Sequence, residues 1–203
     1  MRIIAGRLRS RQLKSPKGSS CRPAMGRTRE ALFSMLEARG LVWSEAHVLD
    51  IFAGSGSLAF EAISRGAPYA LLLENSPLIL RCLHDNIHSL DLAGQVEVLT
   101  DDALRILRTP PPEPFDVVFL DPPYRQGYAE RALMLLVKQG WLAPAAFVAA
   151  EIEEKLRLRL PASLSLVTER LFGQTRLVLL RASGQDSETG HASQVPLDTE
   201  QPE

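Results

Sequence analysis

The sequence lacks the patterns that are typical of metal-binding, membrane-spanning and secreted proteins. It contains two cysteines, Cys21 and Cys82, and four histidines, and neither residue type forms a metal-ligand pattern. No apolar run approaches the roughly 20 residues that a membrane-spanning helix needs. Charged side chains interrupt the opening residues, where a signal peptide needs an apolar segment. We therefore expect a cytoplasmic protein that binds neither a metal nor a membrane.

Acidic residues are absent from the first 29 positions. This segment holds nine Lys and Arg side chains and has a net charge of +9, so the remainder carries −10 and the whole chain −1. A basic arm on an acidic body is typical of a protein with a polyanionic partner, because each cation that meets a phosphate releases condensed counterions. A merely solvated basic N-terminus is the alternative interpretation.

Apolar segments typical of buried strands alternate with amphipathic segments typical of helices along most of the chain. The predicted strands of the alternating part are 47–52, 69–75, 95–99, 115–121 and 145–152. Two further strands flank Phe172-Gly173 with no helix between them, which indicates an antiparallel hairpin. The pattern predicts an α/β fold with a doubly wound, mostly parallel sheet of seven strands that ends in this hairpin.

The two ends of the chain differ from this central part. Apolar and basic residues alternate in part around Gly6, which predicts a small β-hairpin arm over residues 1–26. Residues 184–203 contain five acids and neither Lys nor Arg, and we expect an acidic disordered tail. The α/β domain would then span residues 27–183.

A glycine turn follows the first predicted strand, in the stretch LDIFAGSGSLAFEA. Gly54 and Gly56 precede a helix, so a ligand could approach the helix N-terminus closely. Such a turn is typical of sites for nucleoside cofactors. By itself it does not distinguish NAD from S-adenosylmethionine.

Acidic residues follow three consecutive strands and favour S-adenosylmethionine. Asp50 precedes the glycine turn, where a carboxylate would repel a pyrophosphate but would suit the ammonium group of a methionine moiety. Glu74 ends the second strand, where it could hold ribose hydroxyls, and Asp102 follows the third, where it could accept the adenine amine. A helix N-cap or a solvated charge is the alternative for each acid taken singly.

The stretch VVFLDPPY carries a second candidate site to the same edge of the sheet. Its prolines remove two backbone donors and leave carbonyl acceptors exposed. The Asp121 carboxylate and the Pro122 carbonyl can accept the two N–H groups of an exocyclic amine and stabilise the charge that develops on its nitrogen. Tyr124 can stack on the base that carries the amine. The motif therefore predicts amino-group methylation.

These motifs, with RIIAGRLRSRQL and RPAMGRTREALFSML before them, resemble the bacterial 16S ribosomal RNA (guanine-N2)-methyltransferase family over residues 1–182. The resemblance implies a Rossmann-like class I methyltransferase fold and transfer of a methyl group from S-adenosylmethionine to the N2 amine of a guanine. It also implies that a monomer acts on 16S RNA in the 30S subunit or an assembly intermediate.

Site residues are carried over from the resemblance position by position. The implied catalytic residues are Asp121, Pro122, Pro123 and Tyr124. The implied cofactor-binding residues are Asp50, Phe52, Ala53, Gly54, Ser55, Gly56, Glu74, Asn75, Asp102 and Ala103. The implied RNA-binding residues are Arg2, Arg7, Arg9, Arg11, Lys14 and Arg22. No metal ligands are implied.

Two other functions share some of these features. A methyltransferase that acts on adenine amines of DNA or of another RNA could use the same Asp-Pro-Pro-Tyr motif, but the chain has no inserted target-recognition domain for DNA. A non-catalytic RNA-binding assembly factor could keep the fold, although the residues for both cofactor and amine are intact.

Overall fold

The computed structural model describes residues 1–15, 23–123 and 127–184. The helices of this part are α1 (Pro23–Glu37), α2 (Ser57–Arg65), α3 (Pro77–Leu90), α4 (Ala103–Ile106) and α5 (Tyr128–Lys138), with a 3-10 turn at Trp43–Glu45. Its strands are β1 (His47–Ile51), β2 (Tyr69–Leu73), β3 (Val96–Leu99), β4 (Phe115–Leu120), β5 (Leu142–Glu153), β6 (Leu164–Phe172) and β7 (Thr175–Ala182).

All seven strands form one sheet in the order β3-β2-β1-β4-β5-β7-β6. Strands β1 to β5 are parallel, whereas β7 runs antiparallel to both β5 and β6. The central strands are buried on both faces, which explains why their sequences are almost continuously apolar. The predicted doubly wound sheet with an antiparallel C-terminal hairpin is confirmed.

Two hydrophobic cores lie on opposite faces of the sheet. Helices α1, α2 and α3 cover one face together with residues of the N-terminal arm. Helices α4 and α5 and the segment that leads into β6 cover the other face. Aromatic packing fixes α1 on its face, because the ring of Phe33 lies 5.0 Å from that of Trp43 and 5.7 Å from that of Phe119.

The N-terminal arm is held by its own backbone hydrogen bonds and by side chains of the domain. Its two ends pair through an antiparallel β-bridge between Arg2 and Gln12, and the N–H of Leu13 donates to the carbonyl of Met1 at 2.8 Å. The fully buried carboxylate of Glu61 on α2 accepts the N–H groups of Ile4 at 2.7 Å and Ala5 at 2.9 Å. The arm therefore satisfies part of its backbone within itself and part through Glu61.

Close packing makes the arm and the α/β domain one unit. Gly6 has φ +77°, and a Cβ there would lie 1.8 Å from the carbonyl oxygen of Ser64 on α2. The arm also buries three apolar side chains in the core beside α1, namely Ile3, Leu8 and Leu13. The predicted boundary between residues 26 and 27 falls inside α1, so the structure shows no separation at that point.

Some predicted segments lie outside the described residues. They include the connector with Arg22, the aromatic residue Tyr124 and, beyond residue 184, the acidic tail. Within the described ranges, no helix has the length and apolar character needed to cross a membrane.

Candidate active site

Three acidic side chains converge at the carboxyl edge of the sheet. Asp50 on β1 is in register with Leu72 on β2 and with Phe119 on β4. Glu74 and Asp121 come two residues later on those neighbouring strands, so the alternation of side chains brings all three acids to the face that α2 covers. The charges of Asp121 and Glu74 both act on Asp50, which confirms that the three lie together.

Asp50 is the most deeply buried of these acids. It is 2% exposed, and one carboxylate oxygen accepts the N–H of Ala59 on α2 at 3.2 Å. Burial raises the pKa of Asp50 to about 8, and the neighbouring charges of Asp121 and Glu74 also raise it, while the Ala59 hydrogen bond opposes them. The site therefore favours a nearby positive charge, which would stabilise the ionised form of Asp50.

The glycine turn bends sharply between β1 and α2. Phe52, Gly54 and Gly56 all have positive φ, of 64°, 56° and 76°. A Cβ on Gly56 would lie 2.5 Å from the ring of Phe60 and 2.7 Å from Leu83, so packing of α2 against α3 requires glycine there. A Cβ on Gly54 would meet nothing closer than 4.0 Å, which leaves open space in front of that residue.

Glu74 connects the end of β2 to the glycine turn. One carboxylate oxygen accepts the N–H of Gly54 at 3.0 Å, and the other accepts those of Asn75 at 3.0 Å and Ser76 at 2.8 Å. A carboxylate oxygen can accept more than one hydrogen bond. Glu74 can therefore hold the turn and still accept a further donor, such as a ribose hydroxyl.

A small cleft of about 200 Å³ of empty space lies beside these residues. Four of its lining residues were predicted to bind the cofactor: Phe52, Glu74, Asn75 and Ala103. Leu73 and Asp101 complete the lining. The structure thus brings these predicted residues together from the ends of β1, β2 and β3.

The two acids that follow β3, Asp101 and Asp102, have different roles. Asp102 is the N-cap of α4, because its carboxylate accepts the N–H of Arg105 at 2.9 Å, which is the alternative that the sequence left open. Asp101 lines the cleft instead, and its carboxylate accepts the N–H of Asp102 at 2.7 Å. The sequence pattern did not single out Asp101. A cofactor contact by Asp102 stays a prediction.

The Asp-Pro-Pro segment begins directly after β4. Asp121 faces the crevice and retains solvent access, Pro122 is buried, and Pro123 is exposed. Loss of hydration within the crevice raises the pKa of Asp121 to about 6. Nearby, the ring of Tyr128 at the start of α5 meets that of Phe52 edge-on at 5.5 Å. Sequence analysis did not single out Tyr128, because no pattern near residue 128 indicates that its ring contacts the distant Phe52.

A fourth acid, Glu151, lies on β5 beside Asp121. Leu120 pairs with Ala150 in the parallel register of β4 and β5, which places Glu151 next to Asp121. Burial, together with the charge of Asp121, raises the pKa of Glu151 to about 7. Sequence reasoning missed Glu151, since its position depends on how two distant strands pair.

The basic side chains of the arm have different surroundings. Arg7 donates to the side-chain oxygen of Gln95, Arg11 donates to the carbonyl of Ser89 at 2.6 Å, and Lys14 forms an ion pair of 2.9 Å with Asp85. Within the described residues, the guanidinium groups of Arg2 and Arg9 make neither a hydrogen bond nor an ion pair, and both residues are exposed. Those two arginines are the best placed of the described set to meet a polyanion.

Comparisons with known proteins identify the family. The family model described as conserved hypothetical protein 95 matches residues 1–181. Ribosomal RNA small subunit methyltransferase D from Escherichia coli K12 is 38% identical over 187 residues, which cover 91% of each chain. The protein of the same name from Haemophilus influenzae is 38% identical over 175 residues, 85% of this chain and 89% of that one. The chain belongs to the ribosomal RNA small subunit methyltransferase D family.

Solved structures agree with this family and with the fold. That of yhhF from Escherichia coli has a TM-score of 0.82 at 38% identity, and covers 91% of this chain and 99% of its own. The magnesium protoporphyrin IX methyltransferase of Synechocystis, solved with bound SAM, has a TM-score of 0.60. At 16% identity it shares the fold alone, with 79% of this chain and 80% of that one covered. The predicted Rossmann-like methyltransferase fold is confirmed.

Proposed function

We propose that this protein transfers a methyl group from S-adenosylmethionine to the exocyclic N2 amine of a guanine in 16S ribosomal RNA. The observation that carries the proposal is the convergence of Asp50, Glu74 and Asp121 at the end of the strands, with Asp121-Pro122 adjoining the glycine turn. Ribosomal RNA small subunit methyltransferases D at 38% identity support the substrate class.

The acids suit a cationic cofactor of this kind. S-adenosylmethionine has an ammonium group and a sulfonium centre, supplies an electrophilic methyl group, and contains no phosphate. Asp50 would hold the ammonium group, and Glu74, which accepts the N–H of Gly54, would also accept ribose hydroxyls. In this proposal the adenine lies against Phe52 and Ala103, which line the small cleft beside Glu74. Anionic cofactors such as NAD would meet unfavourable charge here.

Asp121 and Pro122 carry the chemical step in this proposal. The Asp121 carboxylate and the Pro122 carbonyl accept the two N–H groups of the amine and aim its lone pair at the methyl carbon. A bond forms between that nitrogen and the methyl carbon as the bond from sulfur to carbon breaks. Positive charge then develops on nitrogen beside Asp121, and the nitrogen loses one proton to the carboxylate or to water.

The N-terminal arm would guide the RNA to this crevice. Its last described residues approach the glycine turn, because the side chain of Asn86 donates to the carbonyls of both Lys14 and Ser55. Phosphates bound along the arm would therefore lie near the opening through which a target base enters. We propose that the enzyme acts in the cytoplasm as a monomer, on the 30S subunit or an assembly intermediate.

Methylation of defined particles tests the proposal. Small-subunit particles and naked 16S RNA from cells that lack the protein would be incubated with methyl-labelled S-adenosylmethionine, and the RNA digested to nucleosides. We expect label in N2-methylguanosine. Absence of methylated guanosine with every RNA form would overturn the proposal, and label in adenine of RNA or duplex DNA would favour an adenine-amine methyltransferase.

A further inference from the structure

Glu151 occupies a position in the crevice that the proposed chemistry does not yet use. It follows Ala150 on β5, the partner of Leu120, as Asp121 follows Leu120 on β4. Neighbouring strands lie about 4.8 Å apart, and residues in register point to the same face. The Asp121 and Glu151 carboxylates therefore stand side by side at the end of the sheet.

The two carboxylates interact unfavourably with each other. Glu151 is half-buried, and across the described ranges of the chain no N–H or O–H donates to its carboxylate and no cation pairs with it. Its other strand neighbour is the buried, apolar Leu177 on β7. Two adjacent acids without a cation cost the fold free energy, so a donor from a ligand would fit here.

Guanine offers the matching donors. Its N1–H lies next to its N2 amine, so its Watson–Crick edge presents donors side by side. In adenine and cytosine, the ring nitrogen next to the amine is an acceptor, which a carboxylate would repel. Asp121 and Pro122 already account for the two N–H groups of the amine. One further acceptor beside Asp121 is required to meet the N1–H.

We propose that Glu151 accepts the N1–H of the target guanine and thereby selects guanine among the bases that carry an exocyclic amine. The inference rests on the proposed function, because it assumes that the amine of guanine is methylated at Asp121. Glu151 acts as a positioning and specificity residue beside the reacting nitrogen. It exchanges no proton or methyl group with the substrate.

The test changes the hydrogen-bonding group on each side of the proposed contact, which are N1 of the base and the side chain of residue 151. 2-Aminopurine keeps the N2 amine but has a hydrogen-bond acceptor at N1 instead of a donor. It would replace the target guanine in a small-subunit RNA that is joined from two shorter RNAs. Glu151→Gln keeps the shape of the side chain and adds an N–H donor that 2-aminopurine can use. Glu154→Gln, three residues later and exposed, is the matched control for loss of an acid.

We expect the wild-type protein to prefer guanine over 2-aminopurine by about 100-fold or more in kcat/KM, as for other sites that leave a buried polar group unpaired with the wrong substrate. Glu151→Gln should narrow this preference by at least about tenfold, whereas Glu154→Gln should leave it unchanged. Affinity for S-adenosylmethionine, measured by calorimetry, should stay within about twofold of wild type in both variants.

Two results would overturn the inference. The first result is equal rates of the wild-type protein on guanine and on 2-aminopurine. It would show that the protein does not recognise the N1–H group, and it requires no variant. The second result is an unchanged preference for guanine over 2-aminopurine in a folded Glu151→Gln variant, which would show that another group binds the N1–H. Failure of the proposed function itself appears differently, as a wild-type protein that methylates no guanine at all.

Discussion

The side-chain amide of Asn86 on α3 donates a hydrogen bond of 3.2 Å to the carbonyl of Ser55 in the glycine turn. The same amide donates to the Lys14 carbonyl at 3.0 Å, and its oxygen accepts the Lys14 N–H at 2.8 Å. Asn86 is completely buried. One side chain therefore joins the arm expected to bind RNA to the turn expected to bind the cofactor.

Replacing Asn86 should weaken both parts together. Asn86→Leu leaves two carbonyls and one N–H without a partner, so we expect the free energy of unfolding to fall by about 2–4 kcal/mol. Cofactor affinity should fall as well, because the glycine turn loses a restraint. Urea unfolding and calorimetric titration would measure these effects. His84→Ala, on the exposed face of the same helix, should change neither quantity, and an equally stable Asn86→Leu would contradict the coupling.

Removing the charge of Asp121 should abolish most of the methylation without removing the cofactor. An Asn side chain keeps an acceptor but cannot stabilise the positive charge on nitrogen, so we expect kcat to fall by about 100- to 1,000-fold in Asp121→Asn. Methyl incorporation under single-turnover conditions measures the chemical step. Asp116→Asn is the matched control on the same strand, since Asp116 accepts the N–H of His47 away from the crevice. A fully active Asp121→Asn would exclude the proposed role.

Two arginines of the arm should contribute to RNA affinity alone. Arg2 and Arg9 are exposed, and their guanidinium groups make no hydrogen bond or ion pair among the described residues. Replacing both by Gln should weaken RNA binding and reduce the slope of log affinity against log salt by about 0.7 to 0.9 for each phosphate that the arm no longer neutralises. Filter binding over a range of salt concentrations would show this. Arg170→Gln, exposed on β6, serves as the control.

Arg11 should behave differently from those two arginines. Its guanidinium donates to the Ser89 carbonyl on α3 at 2.6 Å, so Arg11→Gln should also lower the unfolding temperature. A loss of cofactor affinity in the Arg2 and Arg9 double variant would instead show that those residues support the fold of the site.

Cofactor binding should release protons near neutral pH. Burial raises the pKa of Asp50 to about 8, and the pKa values of Asp121 and Glu151 are also raised, to about 6 and 7. A bound cation favours the ionised carboxylates, so affinity should rise with pH, by up to about tenfold per unit, until these groups are ionised near pH 8. Calorimetry in buffers of different ionisation enthalpy would count the protons.

Stability should change in the opposite direction over this range. The folded pKa of Asp50 lies above its ordinary value of 3.8, so between about pH 4 and 8 the folded state holds more protons than the unfolded state. The contribution of this group to the free energy of unfolding therefore decreases as pH rises through that window. Weaker cofactor binding at pH 6 than at pH 8 would thus not reflect unfolding. Asp50→Asn should remove a large part of the proton release, and unchanged release would contradict the assignment.

Local signals predicted the fold and part of the site. The hairpin predicted around Phe172-Gly173 matches the structure, because Gly173 and the apolar residues on either side of it lie close together in the sequence. The sequence of the arm cannot show that Glu61 on α2 accepts two of its N–H groups, because that contact joins residues more than 50 positions apart. Glu151 required the pairing of β5 with β4, which no local pattern encodes.

The crowding of acids at the strand ends also bears on how the enzyme would be freed after each turnover. Methyl transfer converts a sulfonium into a neutral thioether, so the spent cofactor keeps the ammonium group proposed for Asp50 but loses the second positive charge, which Asp121 and Glu151 would attract. The same carboxylates that favour binding of the methyl donor would then repel one another again. Departure of the by-product should consequently be faster than departure of the donor.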